Sequence, residues 1–168
     1  MAAPVPFRVH GLVPDKQGTP IVVLQEEEGA RMLPIWIGEF EARAIGDALA
    51  GKKMARPMTH DLLLTTIRAL GGTIKGITIT SLEDHTYYAE IHVSVGGKEV
   101  LLDARSSDSI ALAVRSGARI FVTEQVIEAS VTPGVTVIAQ ELTKEEKEAR
   151  LKKRLEELDP GDFGNFDI

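Results

Sequence analysis

The stretch DARSSD at residues 103–108 puts Asp103, Arg105 and Asp108 close together, between an apolar run and a second run of small apolar residues. On an extended segment, residues two apart share a face, so Asp103 and Arg105 lie side by side. Such a pair is an ordinary salt bridge, or it is a metal ligand beside a phosphate clamp, because the planar fork of arginine matches phosphate oxygens. Both readings stand. Asp108 also suits the first turn of a helix, and Ser106 or Ser107 suits its N-cap.

Three further stretches carry polar chemistry. In RPMTHD, His60 and Asp61 begin a helix, where free backbone N–H groups favour an anion and the side chains favour a metal. A plainer role is available too, with Asp61 complementing the helix dipole and His60 exposed. In IGEFEAR, Glu39 and Glu41 stand where acids are favourable for the dipole alone. The loop GKKMAR, with Lys52, Lys53 and Arg56, is the densest basic cluster in the body of the chain and lies just before the helix start that carries His60. A loop of this kind is a solvated turn or a contact for a phosphate backbone. His10, His85 and His92 show no ligand spacing, and Trp36 is expected to fill core. Tyr87 and Tyr88 fit cross-strand packing or base stacking.

The elements that must hold these groups follow from pattern. FRVHGLV, IVVLQ and RMLPIWI, separated by turn residues, predict an antiparallel meander. GEFEARAIGDALAG predicts a helix with Phe40, Ala44, Ile45 and Ala48 on its apolar face. THDLLLTTIRALGG predicts a second, capped by Thr59, presenting Leu63, Ile67 and Leu70, and stopped by Gly71 and Gly72. TIKGITITSL and TYYAEIHVSV form a hairpin, and Gly96-Gly97 turn the chain into KEVLLDA. A helix runs from about Ser107 to Gly117, followed by the strand ARIFV and a short helix capped by Thr123. VTVIAQ predicts a last strand. A charged helix over 143–158, with Leu151, Leu155 and Leu158 as a thin seam, leads into an acidic tail. The expected fold is α+β, one compact domain over 1–142 with a mostly antiparallel or mixed sheet and several helices, then a charged helix and tail over 143–168.

Bulk properties narrow the function. The chain has 168 residues, no cysteine and a net charge of −6, so thiolate chemistry is excluded and general electrostatic capture of nucleic acid is disfavoured. No signal peptide and no membrane span is read, and a cytoplasmic location is expected. GxxxxGK[ST], GxGxxG, HExxH and GxSxG are missing.

Taken together, LPIWIGEFEARAI, RPMTHDLL and LLDARSSDSIALAVRSGARIFV resemble the bifunctional nuclease family, small bacterial and plant proteins acting on DNA and RNA, over about residues 7–130. The ending LEELDPGDFGNF resembles the short tail of many members. One block departs from the family's usual DARPSDAIALA, with Ser106 and Ser109 at the Pro and Ala positions. Ser106 loosens the φ restriction of proline and keeps a capping oxygen. The resemblance implies a nuclease assisted by a divalent cation, Mg²⁺ or Mn²⁺, acting on DNA and RNA. It implies Asp103 and Asp108 as metal ligands, with Glu39 and Glu41 in reserve. Asp61 joins the site if the two helix starts converge, His60 is general base or further ligand, and Arg105 steadies the phosphate. Lys52, Lys53 and Arg56 would meet nucleic acid. The competing class is a non-catalytic binding or regulatory module, a homo-oligomer joined at exposed meander edges. A small-molecule sensor using the helix N-termini is a third class.

Overall fold

The computed structural model describes residues 3–29 and 31–130, all within a compact unit spanning Met1–Val135. The expected strand VTVIAQ, the charged helix and the tail lie outside the described residues. Strands β1 (Val5–Pro14), β2 (Pro20–Glu26) and β3 (Met32–Trp36) form the meander, with both pairings antiparallel. Helices α1 (Glu39–Leu49) and α2 (Thr59–Ala69) follow, then β4 (Gly72–Glu83), β5 (Thr86–Val95) and β6 (Lys98–Arg105). The chain closes with α3 (Ser106–Ser116), β7 (Arg119–Val122) and α4 (Glu124–Ser130).

One seven-stranded sheet runs in the order β3-β2-β1-β7-β4-β5-β6. It is mixed, because β7 returns parallel to β4 after the α3 crossover and pairs antiparallel with β1 on its other side. The fold is therefore α+β, as the alternation of hairpins and single helices predicts. Two-residue turns set the second set of strands: Asp84 and His85 (φ 46° and 63°) join β4 to β5, and Gly96 and Gly97 (φ 57° and 79°) join β5 to β6. Positive φ at both turn positions matches the twist of the flanking strands.

Helix α3 is the hub of the described residues. It lies across β4 to β7 and packs against both α1 and α2. Ile110, Ala111, Leu112 and Ala113 are buried, as are Ser106, Ser107 and Ser109. Five of these seven are Ser or Ala, small enough for neighbouring elements to pack close to the helix. Gly117, at φ 72°, ends it in the left-handed conformation expected of a C-terminal glycine.

Several expectations are corrected in detail. Trp36 is not core: its side chain is half exposed and its Nε1–H donates to Asp15 Oδ2 at 3.2 Å. Phe40 is 86% exposed, and Ile45 alone is buried on α1. On α2 the buried leucine is Leu64, whereas Leu63 and Leu70 face outward. The run LLL at 62–64 offers three possible apolar faces, and docking against α3 selects one. Met58, not Thr59, is the N-cap of α2, because the Asp61 carboxylate accepts the Met58 N–H at 2.9 Å and draws the helix start back one residue. For α3 the N-cap is Arg105, and both Ser106 and Ser107 lie inside the helix.

Candidate functional site

Three elements build a cleft of about 720 Å³: α1, the start of α2 with the loop before it, and α3. Polar side chains line it together with the exposed apolar Phe40, Met54 and Met58. The α2 start brings His60 to the α3 start, where His60 Nε2 lies 2.9 Å from Asp108 Oδ1. Both side chains are mostly shielded, at 14% and 28% exposure. An ionised Asp108 accepts a hydrogen bond from the Nε2–H tautomer, which leaves Nδ1 as the acceptor of the ring.

Arg105 closes the same corner. Its Nε donates to Asp108 Oδ2 at 2.7 Å, Nη2 donates to Asp108 Oδ1 at 3.2 Å, and Nη1 reaches Glu41 Oε1 on α1 at 2.9 Å. The Arg105 side chain is nevertheless two-thirds exposed. Burial is the largest influence on the Asp108 carboxyl and pushes its pKa up, but hydrogen bonds from Arg105 and His60 and the Arg105 charge outweigh it and hold it below the ordinary value. Asp61 is also held low, first by the Met58 N–H and, against the effect of burial, by Arg115.

Arg115, which sequence reading missed, is the strut of the site. Its side chain is only 10% exposed. Nε donates to Asp61 Oδ1 at 2.8 Å, Nη1 to the Ala111 carbonyl at 2.9 Å and Nη2 to the Ala44 carbonyl at 2.9 Å. One guanidinium thus ties α1, α2 and α3 together beneath the cleft. A signal was present: Arg115 lies two turns after Asp108 on α3, so both face the same direction.

The other expected residues divide. Glu41 is in the cluster, and a Cβ at Gly38 would overlap its carboxylate, so the glycine leaves Glu41 room to reach Arg105. Glu39 is exposed on the first turn of α1 and does not line the cleft. Lys52 does line it, and pairs with Asp47 at 3.4 Å. Lys53 and Arg56 are exposed on the same loop without lining the cleft. Asp103 is not brought to His60. It is exposed on β6 opposite Glu90, while its neighbour Ala104 takes the face that packs on the core, so strand alternation turns Asp103 to the other side of the sheet.

The arrangement does not make a cage for a cation. Both oxygens of Asp108 and both of Asp61 already accept hydrogen bonds, and Glu41 is paired with Arg105. Among the described residues no three His, Asp or Glu side chains converge as metal ligands. Among the same residues, no helix is long and apolar enough to cross a membrane.

Comparison with known proteins meets this geometry from another side. Residues 22–133 match the family model for the bifunctional nuclease domain. A Mycobacterium tuberculosis protein described as uncharacterized, present in two strains, is 36% identical over 160 residues, covering 93% of this chain and 96% of its own length. Bifunctional nuclease 2 of Oryza sativa subsp. japonica is 28% identical over 107 residues, which cover 61% of this chain and 33% of that protein.

Proposed function

We propose a reading of the cleft from one premise: the chain belongs to the bifunctional nuclease domain family. The function is hydrolysis of phosphodiester bonds in DNA and RNA, with His60 as general base. The observation that carries this reading is the 2.9 Å contact from His60 Nε2 to Asp108, beside an arginine whose side chain is two-thirds exposed.

Asp108 fixes the imidazole orientation and tautomer, so that Nδ1 is the nitrogen able to take a proton. Arg105 presents its exposed edge to a non-bridging phosphate oxygen and neutralises charge there. Water attacks phosphorus as Nδ1 removes its proton. The new P–O bond forms, the bond to the leaving oxygen breaks, and that oxygen takes a proton from solvent. Lys52, Lys53 and Arg56 lie along the loop at the cleft's edge and offer contacts to flanking phosphates. These local cations matter because the chain as a whole is acidic.

The test is hydrolysis of labelled single- and double-stranded DNA and of RNA by the purified chain, with Mg²⁺, with Mn²⁺ and with EDTA. His60→Ala and Asp108→Asn, each shown to be folded, run in parallel. Loss of cleavage by about 10²-fold or more in His60→Ala is expected of a missing general base. Cleavage equal to the parent protein in both variants sinks the reading. The EDTA arm measures the dependence on divalent metal that the family resemblance implies. A cation at this corner would have to displace Arg105 from Asp108 and Glu41.

A second reading has its own support: every cleft carboxylate described above is held by a cation, an arrangement suited to binding without chemistry. Tight binding of a nucleic acid that stays intact under all three metal conditions would favour it.

A further inference from the structure

Three adjacent strands place a hydroxyl, an imidazole and a carboxylate in one row on the sheet face away from the helices. Ile77 and Ile79 on β4, and Ile91 and Val93 on β5, are buried in the core, so Thr78 and His92 between them face the other way. His92 opposes Gly76, two residues from Thr78, and Glu99 on β6 opposes Ser94, two residues from His92. Diagonal neighbours of this kind lie within reach of one another. His92 Nε2 is 3.0 Å from Thr78 Oγ1, and His92 Nδ1 is 3.0 Å from Glu99 Oε1.

The chemistry of the three groups sets the direction of the hydrogen bonds. As a carboxylate, Glu99 only accepts, so Nδ1 carries the ring proton and donates it. Nε2 is then an acceptor, and the Thr78 hydroxyl donates to it. Hydroxyl, neutral imidazole and carboxylate, in that order, are a nucleophile, its base and the group that orients the base.

A recess of about 130 Å³ reaches these groups and is lined, among the described residues, by Lys75, Gly76 and Phe121 beside the three of them. Gly76 keeps it open, since a Cβ there would stand 3.3 Å from the Phe121 ring and 3.3 Å from the Arg119 carbonyl. Lys75 is the extra residue of a bulge in β4, a device that re-aims a side chain, and it brings an ammonium to the recess. Thr78 is buried at the inner end of the row, and Glu99 stands at the solvent end with 63% exposure. Pockets for drug-sized ligands start at about 300 Å³, so this one admits only a small group.

We propose that Thr78, His92 and Glu99 form a second reactive site, separate from the cleft, that takes a small acyl group from an activated ester. Thr78 Oγ1 attacks the carbonyl carbon while its proton passes to His92 Nε2. The Oγ1–C bond forms, the bond from carbon to the leaving oxygen breaks, and that oxygen takes the proton from Nε2. An acyl-threonine and a free alcohol result. Glu99 is a positioning residue that holds the imidazole tautomer. The Lys75 ammonium offsets the charge that develops on the carbonyl oxygen. The inference does not depend on the nuclease reading, because the row lies on the sheet face opposite the cleft.

The probe is p-nitrophenyl acetate, added to the full chain. Release of p-nitrophenolate is followed by absorbance, and acetylated positions are mapped by peptide mass spectrometry after acid quench. Thr78→Val and His92→Ala, each shown to be folded by circular dichroism, are expected to lose about tenfold or more of the release rate. Glu99→Gln, whose amide oxygen still accepts the Nδ1–H, is expected to keep more of the rate than Glu99→Ala. Acetyl on Thr78 supports the site, and so does Thr78-dependent release without it, where water has cleaved the ester. Equal release from the parent chain and folded Thr78→Val, with acetyl only on lysine amines, overturns it and leaves the row as a structural strap across three strands. Should Thr78→Val fail to fold, Thr78→Ala and His92→Ala decide by the same comparison.

Discussion

Removing the Arg115 side chain should cost about 3 kcal/mol of stability, and the sum comes from its partners. The Ala111 and Ala44 carbonyls each lose a charged donor but keep their place in a helix ladder, so neither becomes an orphan. About 1 kcal/mol for each is the appropriate figure. The ion pair with Asp61 is discounted to about 0.5–1 kcal/mol, because Asp61 is 39% exposed and solvent screens it. Loss of the buried aliphatic stem contributes the remainder, again about 0.5 kcal/mol. For a chain of this size the total corresponds to a fall in Tm of about 6–12 °C. Arg115→Ala should therefore shift the urea midpoint, followed by far-UV circular dichroism, with little change in m. Arg115→Lys, able to reach one partner at a time, should fall between the two. An Asp61→Ala/Arg115→Ala cycle should show coupling of about 0.5–1 kcal/mol. A loss below about 1 kcal/mol in Arg115→Ala would refute the strut argument and leave the three helices held by apolar contact alone.

Other outcomes follow from the same contacts. The folded-state pKa values of Asp61 and Asp108 are depressed, so their contribution is complete above the unfolded aspartate value, near 4, and is lost as pH falls through the folded values. Chemical denaturation between pH 2 and 6 should show that loss, with a shallower slope in Asp108→Asn. Leu64→Ala should cost about 2–4 kcal/mol and Leu63→Ala less than about 1, because only the first is buried. Equal losses in the two would contradict the face assigned to α2. Gly72→Ala should cost about 1–3 kcal/mol by equilibrium unfolding, since a Cβ there meets the Ile67 carbonyl at 2.9 Å and Val93 Cγ1 at 3.2 Å.

Periodicity and turn chemistry made much of the fold readable. The meander, the two hairpins and the joint after β6 rest on local signals: alternation, paired positive-φ turn residues and glycine stops. That the two helix starts could converge was an expectation, because His60, Asp61 and Asp108 all sit in first turns; that His60 rather than Asp61 would meet Asp108 was not read. What local pattern could not supply was facing. Asp103 and Arg105 share parity along β6, yet Arg105 ends the strand and bends with the helix entry to reach Glu41, while Asp103 stays on the far side of the sheet. Trp36 read as core, and Phe40 read as core from its helical spacing with Ala44, Ile45 and Ala48, but tertiary packing leaves both at the surface. The role of Arg115 was hidden for a related reason: two of its three partners are backbone carbonyls, which any residue type supplies.

The four residues of β7 hold the sheet's two antiparallel sets together, since β7 alone touches both β1 and β4. Residues 5–7 therefore wait for residues 120–122 before they gain that neighbour. On a ribosome, the first meander and the later hairpins emerge as separate pieces with sticky flanks, and fuse only when β7 leaves the exit tunnel. The cleft is assembled from both pieces, α1 from the early one and α3 from the late one. A nascent chain therefore lacks the cleft until nearly all of the described fold has been made.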